Sequence, residues 1–252
     1  MPLFTPTNFY RTRGALTPVL PNIDQTNLLR WYDADFDADG STWTDQTTTQ
    51  DASVTGNVTY DSTSSPYFYD FVGGAGTNGI GASASADLSN TTQTIQMWYR
   101  QSTSGDTSQR CIASQRSGTG TGGTRYSMHV HQNNGSIGIY NGAEFRPSNN
   151  NQGGTNFSIG TTQNTWYFIE LMMDTKAVDS TVVYQNNVLK GTLKVGLNND
   201  AGNEPFGIGT PNYNLSTFSG EFFIGEIAMC LVYSGNTRPT GNWDATKARF
   251  GY

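Results

Sequence analysis

Short apolar alternations, separated by clusters of glycine, asparagine, serine and threonine, recur along the chain from Leu28 onward. Apolar side chains at every second position predict half-buried β-strands, and many short strands between turn residues predict an all-β sandwich or barrel. Stretches with the 3.6-residue period of a helix are nearly absent from the sequence. Only residues 242–250 predict a short helix, close to the end of the chain.

The clearest alternation spans residues 94–100. It places Ile95, Met97 and Tyr99 on one face of a strand and Trp98 on the other. This pattern predicts a half-buried strand that turns its first face to the core.

Two hairpins and two continuous apolar runs complete the pattern. Residues 126–140 and 181–190 each hold two strand-like runs joined by an asparagine-containing turn, which predicts β-hairpins. Residues 166–173 and 222–233 are almost continuously apolar. Strands of that kind are covered on both faces, so we expect these two in the middle of the sandwich.

Residues 1–26 differ from the rest, and we predict an extended arm that precedes one β-sandwich domain of residues 27–252. Four prolines interrupt any helix or ladder in the arm. The first seven residues show neither the basic region nor the apolar run of a signal peptide, so we expect none. The large apolar side chains of the arm are too many for a solvated tail, and we expect them to contact a partner chain. They are Leu3, Phe4, Phe9, Tyr10, Leu16, Val19 and Leu20.

Composition narrows the classes of partner. Charged residues make up 13% of the 252 residues, about half of the ~25% usual in soluble domains. The net charge is −6, and no cluster of lysine and arginine is dense enough to neutralise a phosphate backbone, so we expect neither nucleic acid nor a membrane as partner. Cys111 and Cys230 each lie in a strand-like run, which favours buried thiols over a disulfide bond.

The order of these pieces resembles the laminin G-like members of the concanavalin A-like jelly-roll superfamily over about residues 27–252. The resemblance depends on three parts of the sequence: an opening strand at 28–35 with a Trp-Thr-Asp turn at 43–45, paired strands at 166–170 and 183–187, and a closing strand at 218–233. It implies a two-sheet antiparallel jelly-roll sandwich. Such domains occur in lectins, adhesins, polysaccharide hydrolases and virion proteins of tailed phages, so the fold does not choose the function.

Relatives that cleave polysaccharides place a row of carboxylates on one strand, and this sequence lacks such a row. Glu170 and Asp174 share a face, but four strand residues separate them by about 13 Å, beyond the ~5–9.5 Å of a hydrolytic pair. Glu221 and Glu226 are five positions apart and face opposite ways in a strand. We therefore expect no enzyme, with a carboxylate pair from two different strands as the remaining alternative.

An acidic loop is the sharpest candidate for a metal site. Asp35, Asp37 and Asp39, followed by Gly40, match the first half of a calcium-binding loop. Position 12 of that loop is Gln46 instead of the bidentate glutamate. A calcium ion held by the three aspartates and a plain solvated turn both stay open.

Two histidines and several aromatic residues offer weaker signals. His129 and His131 leave the same face of a strand and can chelate a metal, with Glu144 as a third ligand from the partner side of the hairpin. The alternative is two solvent-facing histidines beside a turn. Aromatic residues that can stack on a sugar, but for which we favour a core position, are Trp43, Trp98 and Tyr126.

Our first functional hypothesis is a non-enzymatic structural component of a tailed-phage virion, a capsid decoration, tail or fibre protein anchored by the arm. Such a protein is assembled in the host cytoplasm, contacts other capsid or tail proteins and forms a homo-oligomer, for which we expect a trimer. The second hypothesis is an extracellular or virion-borne lectin-like module that binds cell-surface glycans. A glycan array separates the two, because a purely structural protein shows no selective glycan binding.

Overall fold

The computed structural model describes residues 21–37, 39–72, 79–83, 88, 92–102, 109–117, 123–131, 135–150, 156–199, 204–211 and 221–252. The predicted partner contacts of the arm, from Leu3 to Leu20, lie outside the described residues. Within those residues, no helix is long and apolar enough to cross a membrane.

The described residues form sixteen β-strands and one α-helix: β1 (Leu28–Asp33), β2 (Thr42–Trp43), β3 (Ala52–Thr55), β4 (Val58–Asp61), β5 (Phe68–Phe71), β6 (Gly79–Ala82), β7 (Gln93–Gln101), β8 (Gln109–Arg116), β9 (Thr124–His131), β10 (Ser136–Tyr140), β11 (Phe145–Pro147), β12 (Tyr167–Met173), β13 (Thr181–Gln185), β14 (Val188–Leu193), β15 (Phe206–Ile208), β16 (Gly225–Ser234) and α1 (Gly241–Thr246). A 3₁₀ turn at Lys247–Phe250 follows α1. The helix predicted at residues 242–250 is therefore confirmed.

The strands build two antiparallel sheets that face each other. Sheet A has the order β14-β13-β12-β7-β16-β5-β4, with β1 also paired to β16, and sheet B has the order β11-β10-β9-β8-β15-β6-β3-β2. β5 and β1 lie end to end along one edge of β16, since β5 pairs with residues 225–227 and β1 with residues 229–233. The predicted hairpins are β9–β10 and β13–β14. The predicted all-β, two-sheet antiparallel sandwich is confirmed.

Side chains between the sheets form a core rich in aromatic residues. Trp43 and Tyr126 are fully buried in it, as expected, and the Trp43 ring centroid lies 4.8 Å from that of Tyr69. Cys230 of sheet A and Cys111 of sheet B are both buried and form no disulfide bond, which confirms the predicted buried thiols.

β16 lies in the interior of sheet A and is buried on both faces, as its continuous apolar run predicted. Tyr99 of β7 pairs with Ile227 and Trp98 pairs with Met229, so Ala228 is the extra residue of a β-bulge. The bulge puts Ala228 and Met229 together in the apolar cluster on the outer face of sheet A.

The outer face of sheet A is covered by both ends of the described chain. Trp98 is fully buried there, because the Phe250 ring stacks on its indole with centroids 4.0 Å apart and its Nε1 donates to Thr246 Oγ1 at 2.8 Å. Ile23 joins the same cluster. The prediction of a half-buried strand at residues 94–100 is therefore wrong, since the C-terminal helix covers the second face.

Two ion pairs with buried carboxylates fasten this cap to the sheet. Arg249 Nη2 lies 2.7 Å from Asp33 Oδ1, and Arg238 Nη2 lies 2.6 Å from Glu170 Oε1. The carboxylate side chains of Asp33 and Glu170 are 0% and 1% exposed. A buried ionised carboxylate needs an opposite charge or hydrogen-bond donors, and the two arginines supply both here.

Candidate functional site

A cavity of about 250 Å³ lies on the outer face of sheet B, which faces away from the core. Four neighbouring strands and the segment 221–223 supply its lining: Gln109, Arg116, His129, Tyr140, Phe145 and Glu221. Pockets for small ligands usually span about 300–1,000 Å³, so this cavity is smaller than that range and suits only a small occupant.

Strand alternation explains why polar and aromatic side chains meet there. Met128 and Val130 of β9 point into the core, so His129 between them leaves the opposite face. Ile139 of β10 is likewise a core residue, and its neighbour Tyr140 faces outward. Segment 221–223 runs beside β8, where the Cys111 amide donates to the carbonyl oxygen of residue 221 at 2.7 Å.

The Phe145 ring forms one wall of the cavity and occupies the space left by a glycine that has no Cβ. Gly138 of β10 pairs with His129 and with Pro147, and a Cβ added at residue 138 would overlap the Phe145 ring. The ring centroid lies 5.6 Å from that of His129 and 6.0 Å from that of His131. Glycine at position 138 therefore lets an aromatic ring lie against the strand and across its neighbours.

The Tyr140 ring forms a second wall of the cavity and contacts the Arg116 guanidinium. The guanidinium carbon of Arg116 lies 5.1 Å from the centroid of the Tyr140 ring, within the range of a cation–π contact. The Tyr140 hydroxyl donates to the carbonyl oxygen of Gly142 at 3.0 Å, which fixes the orientation of the ring. Arg116 is only 4% exposed, so the ring covers a largely buried charge.

His129 contributes a neutral polar group to the cavity. Its side chain is buried, and its Nδ1 has no hydrogen-bond partner among the described residues. Burial lowers its pKa to about 3, and the nearby positive charge of Arg116 acts in the same direction. The imidazole is therefore neutral near pH 7, and its buried Nδ1 can act as donor or acceptor according to its tautomer.

Glu221 contributes the carboxyl group of the cavity. Partial burial raises the pKa of Glu221, and the positive charge of Arg116 opposes that effect. The cavity thus brings together one cation, one carboxyl group, one neutral imidazole and two aromatic rings.

The two histidines fit the metal hypothesis poorly. They do share the outer face of β9, where both contact Phe145. The buried position of His129 overturns the alternative of two solvent-facing histidines. Glu144, the proposed third ligand, forms an ion pair with Arg146 at 2.5 Å instead. In the described part of the chain, no group of three or more His, Cys, Asp or Glu is placed to hold a metal ion.

The acidic loop between β1 and β2 directs its three carboxylates to three different sets of donors. Asp35 Oδ1 accepts from the Tyr67 amide at 2.8 Å. Asp37 is buried and accepts from the Thr44 amide at 2.9 Å and from the hydroxyl of Tyr69. Asp39 Oδ1 accepts from the amide and the hydroxyl of the residue at position 41. Calcium binding by the three aspartates stays a prediction, and it requires these donors to give way.

The carboxylates considered for catalysis lie in different parts of the fold, and Glu226 stands opposite Asp70 of the neighbouring strand β5. Glu170 is held by Arg238 under the cap of sheet A. Glu226 pairs with Arg100 at 2.6 Å in sheet A, whereas Glu221 lines the cavity on sheet B. Among the described residues that line the cavity, Glu221 is the one carboxylic acid.

The sequence analysis named His129 and Glu221 for other roles and missed the remaining lining residues. The alternation of residues 126–131 and 136–140 was the signal that could have placed Tyr140 beside His129 on one outer face. Nothing in the sequence ties Glu221 to these strands, because that contact depends on a segment about ninety positions away along the chain.

We predict that Asp37→Asn removes a pH dependence of stability. Burial raises the pKa of Asp37 from 3.8 to about 6, so the folded protein holds this proton more tightly than the unfolded chain does. Protonation of Asp37 therefore stabilises the fold below its unfolded pKa, and this stabilisation is lost as the pH rises through about 6. A shift of about two pKa units corresponds to at most about 3 kcal/mol.

Thermal and urea unfolding at pH 4.5 and pH 7.5 measure this effect. The free energy of unfolding of Asp37→Asn should gain on that of the unaltered protein as the pH rises. Asp39→Asn serves as a control, since the Asp39 carboxylate is exposed and ionised at both pH values. An identical pH response of Asp37→Asn and the unaltered protein would contradict the prediction.

For calcium, we predict that the ion raises the melting temperature through Asp35, Asp37 and Asp39, because a ligand that binds the folded state alone stabilises it. The measurement compares melts in calcium chloride and in a chelator at constant ionic strength. If the melting temperature is the same in both, the acidic loop is only a turn.

No curated protein matches the sequence. Solved structures do match it: Trypanosoma rangeli sialidase has a TM-score of 0.62 at 13% identity, and the match covers 93% of this chain and 36% of that chain. Domain 4 of AbnA, an extracellular arabinanase from Geobacillus stearothermophilus, in complex with arabinotriose, has a TM-score of 0.62 at 16% identity, with 88% and 99% covered. The binding domain of Botulinum Neurotoxin DC in complex with SialylT has a TM-score of 0.59 at 12% identity, with 88% and 51% covered.

The chain spans about a third of the length of the sialidases that it matches. Identities this low show a shared fold and nothing more. A family model described as the concanavalin A-like lectin/glucanases superfamily matches residues 74–239, a range that contains all six residues lining the cavity. The resemblance drawn from the sequence is thereby confirmed, and the chain belongs to the concanavalin A-like lectin/glucanases superfamily, in its laminin G branch.

Proposed function

We propose that this protein is a non-enzymatic carbohydrate-binding module that holds one sugar unit in the cavity on the outer face of sheet B. The observation that carries the proposal is that the Phe145 ring and the buried His129 imidazole, whose Nδ1 has no partner among the described residues, line one small cavity. A sugar ring has an apolar face of C–H groups and an edge of hydroxyls. The aromatic wall suits the first, and the imidazole and the Glu221 carboxyl group suit the second.

The relatives in fold lend support of a weaker kind. The arabinanase domain was solved with arabinotriose and the neurotoxin domain with SialylT. Both are carbohydrate ligands of those proteins, and the fold is thus compatible with glycan binding. A sialidase was solved in complex with sialic acid, but its chain is about three times as long as this one. We therefore do not transfer its activity to this protein.

A lack of enzymatic activity is part of the proposal. Hydrolysis of a glycosidic bond by the usual route needs two carboxyl groups about 5–9.5 Å apart. The described lining of the cavity offers Glu221 alone. The buried carboxylates of sheet A are occupied by arginine partners and lie on the other side of the sandwich.

A virion role is compatible with glycan binding, and we retain it as a second proposal. Residues 21–26 contact the domain: Ile23 is buried in the cap of sheet A, and the Asp24 amide donates to Asn242 Oδ1 at 2.8 Å. Residues 23 and 24 therefore lie against sheet A, on the side opposite the cavity. An anchor on that side leaves the cavity open to a glycan.

We predict that Phe145→Ala weakens glycan binding by about ten- to a hundredfold, because the ring supplies a large apolar contact with the sugar. A glycan array with the unaltered protein identifies the ligand, and calorimetric titration measures its affinity for each variant. Gly138→Ala should also weaken binding, since it displaces the ring and keeps every lining side chain.

Val188→Ala is the matched control, because Val188 is 59% exposed on β14 of sheet A. Thermal melts show whether each variant is folded. Two results would overturn the proposal: no selective binding on the array, or an unchanged affinity in a folded Phe145→Ala variant.

For the arm, we predict that deletion of residues 1–20 leaves a folded domain and abolishes self-association. The deletion stops before Pro21 because Ile23 and Asp24 pack on the domain. Light scattering after size exclusion measures the oligomeric state of both proteins, with a trimer expected for the full chain. A truncated protein that still associates would place the contact on the sandwich, and one that unfolds would make the arm part of the fold.

A further inference from the structure

Building on the proposed function, we propose that the cavity selects neutral sugars and discriminates against sialic acids and other carboxylate-bearing sugars. Its charged groups already balance each other, and the group left facing a ligand is a carboxylate. The known ligands of proteins with this fold do not decide the matter, since arabinotriose is neutral and sialic acid is anionic.

The charged side chains that line the cavity are one cation and one carboxyl group. Arg116 supplies one positive charge and Glu221 one negative charge, and His129 is neutral near pH 7. Burial raises the pKa of Glu221, and the positive charge of Arg116 opposes that effect by favouring the ionised carboxylate. The described lining residues therefore carry no net charge.

Two of the charges next to the cavity pair with each other, and Arg110 adds a positive charge that donates to the carbonyl oxygen of Phe222 at 3.3 Å. Glu144 and Arg146, on either side of Phe145 in the chain, form an ion pair at 2.5 Å. Burial lowers the pKa of His131, which keeps this imidazole neutral as well. The net charge of the chain is −6, so its overall field does not favour an anion.

The arrangement of Arg116 decides what it can offer to a ligand. Proteins hold a ligand carboxylate most strongly with an arginine that presents two parallel N–H groups to it, in a bidentate contact. Arg116 is 4% exposed and lies over the Tyr140 ring. It is thus held against that ring, whereas Glu221 is less buried than Arg116 and lines the cavity.

The expected preference follows from the chemistry of the two sugar classes. Hydroxyl groups of a neutral sugar can donate to the Glu221 carboxylate, and hydrogen bonds to a charged acceptor are stronger than neutral ones. The carboxylate of a sialic acid would stand beside a like charge in a partly buried site, which disfavours it. Glu221 is therefore the residue that sets the specificity.

The test measures a ratio of affinities. A glycan array that pairs each neutral glycan with its sialylated form is followed by calorimetric titration with arabinotriose, lactose and 3′-sialyllactose. The unaltered protein should bind a neutral glycan at least about tenfold more tightly than its sialylated partner. Glu221→Gln should weaken binding of the neutral glycan by about ten- to a hundredfold and reduce that ratio.

Asp244→Asn is the matched control, because it removes one negative charge from an exposed side chain on α1, against sheet A. Its affinity ratio should equal that of the unaltered protein. This control separates a local effect at the cavity from a change in net charge.

The outcomes distinguish the two proposals. If no glycan of either class binds, the proposed carbohydrate function is wrong. If sialylated glycans bind as tightly as neutral ones or more tightly, the carbohydrate function stands and the selectivity for neutral sugars is wrong. An unchanged ratio in a folded Glu221→Gln variant would also overturn the selectivity.

Discussion

The burial of both faces of the β7–β16 pair is the constraint on which the rest of the structure depends. One face of this pair packs against sheet B and forms the core of the sandwich. The other face presents Trp98, Leu231 and Tyr233, which are too large and too apolar to be left in water. The chain solves this by folding its C-terminal helix and residues 21–26 back onto sheet A.

The outer faces of the two sheets therefore differ in what covers them. The outer face of sheet A is closed by the chain's own ends and secured by the Arg249–Asp33 and Arg238–Glu170 pairs. On sheet B, the outer face holds the cavity, whose walls are aromatic rings on neighbouring strands. The cap and the cavity thus lie on opposite faces of one sandwich, and a ligand in the proposed site on sheet B need not disturb the cap.

Much of the fold could be predicted from the sequence because strand periodicity is a local property. The alternation at residues 94–100 set the faces correctly, and the continuous apolar run of β16 indicated a strand covered on both sides. The β-bulge at Ala228 was not visible, since it arises from the pairing of β16 with β7. The covering of Trp98 by Phe250 was missed for the same reason, because it joins positions far apart in the chain.

The candidate site was less predictable than the fold. Its lining extends from Gln109 to Glu221, and strand pairing alone brings those positions together. The sequence analysis looked for large aromatic residues and clusters of acids, and these belong to the core or to turns: Trp43 is fully buried, and Asp37 accepts from Tyr69 within the fold. The residues that form the cavity wall are Phe145 and Tyr140, which carry no special spacing in the sequence.

The scarcity of charged residues gives the cavity its significance. Charged residues make up 13% of the chain. Asp33, Glu170 and Glu226 each face an arginine within a sheet or its cap. These three carboxylates hold the fold together. Glu221 differs because it lines a cavity on sheet B whose arginine lies over an aromatic ring. The position of that one carboxylate, and not the number of carboxylates, is therefore the reason why we propose the outer face of sheet B as the binding surface.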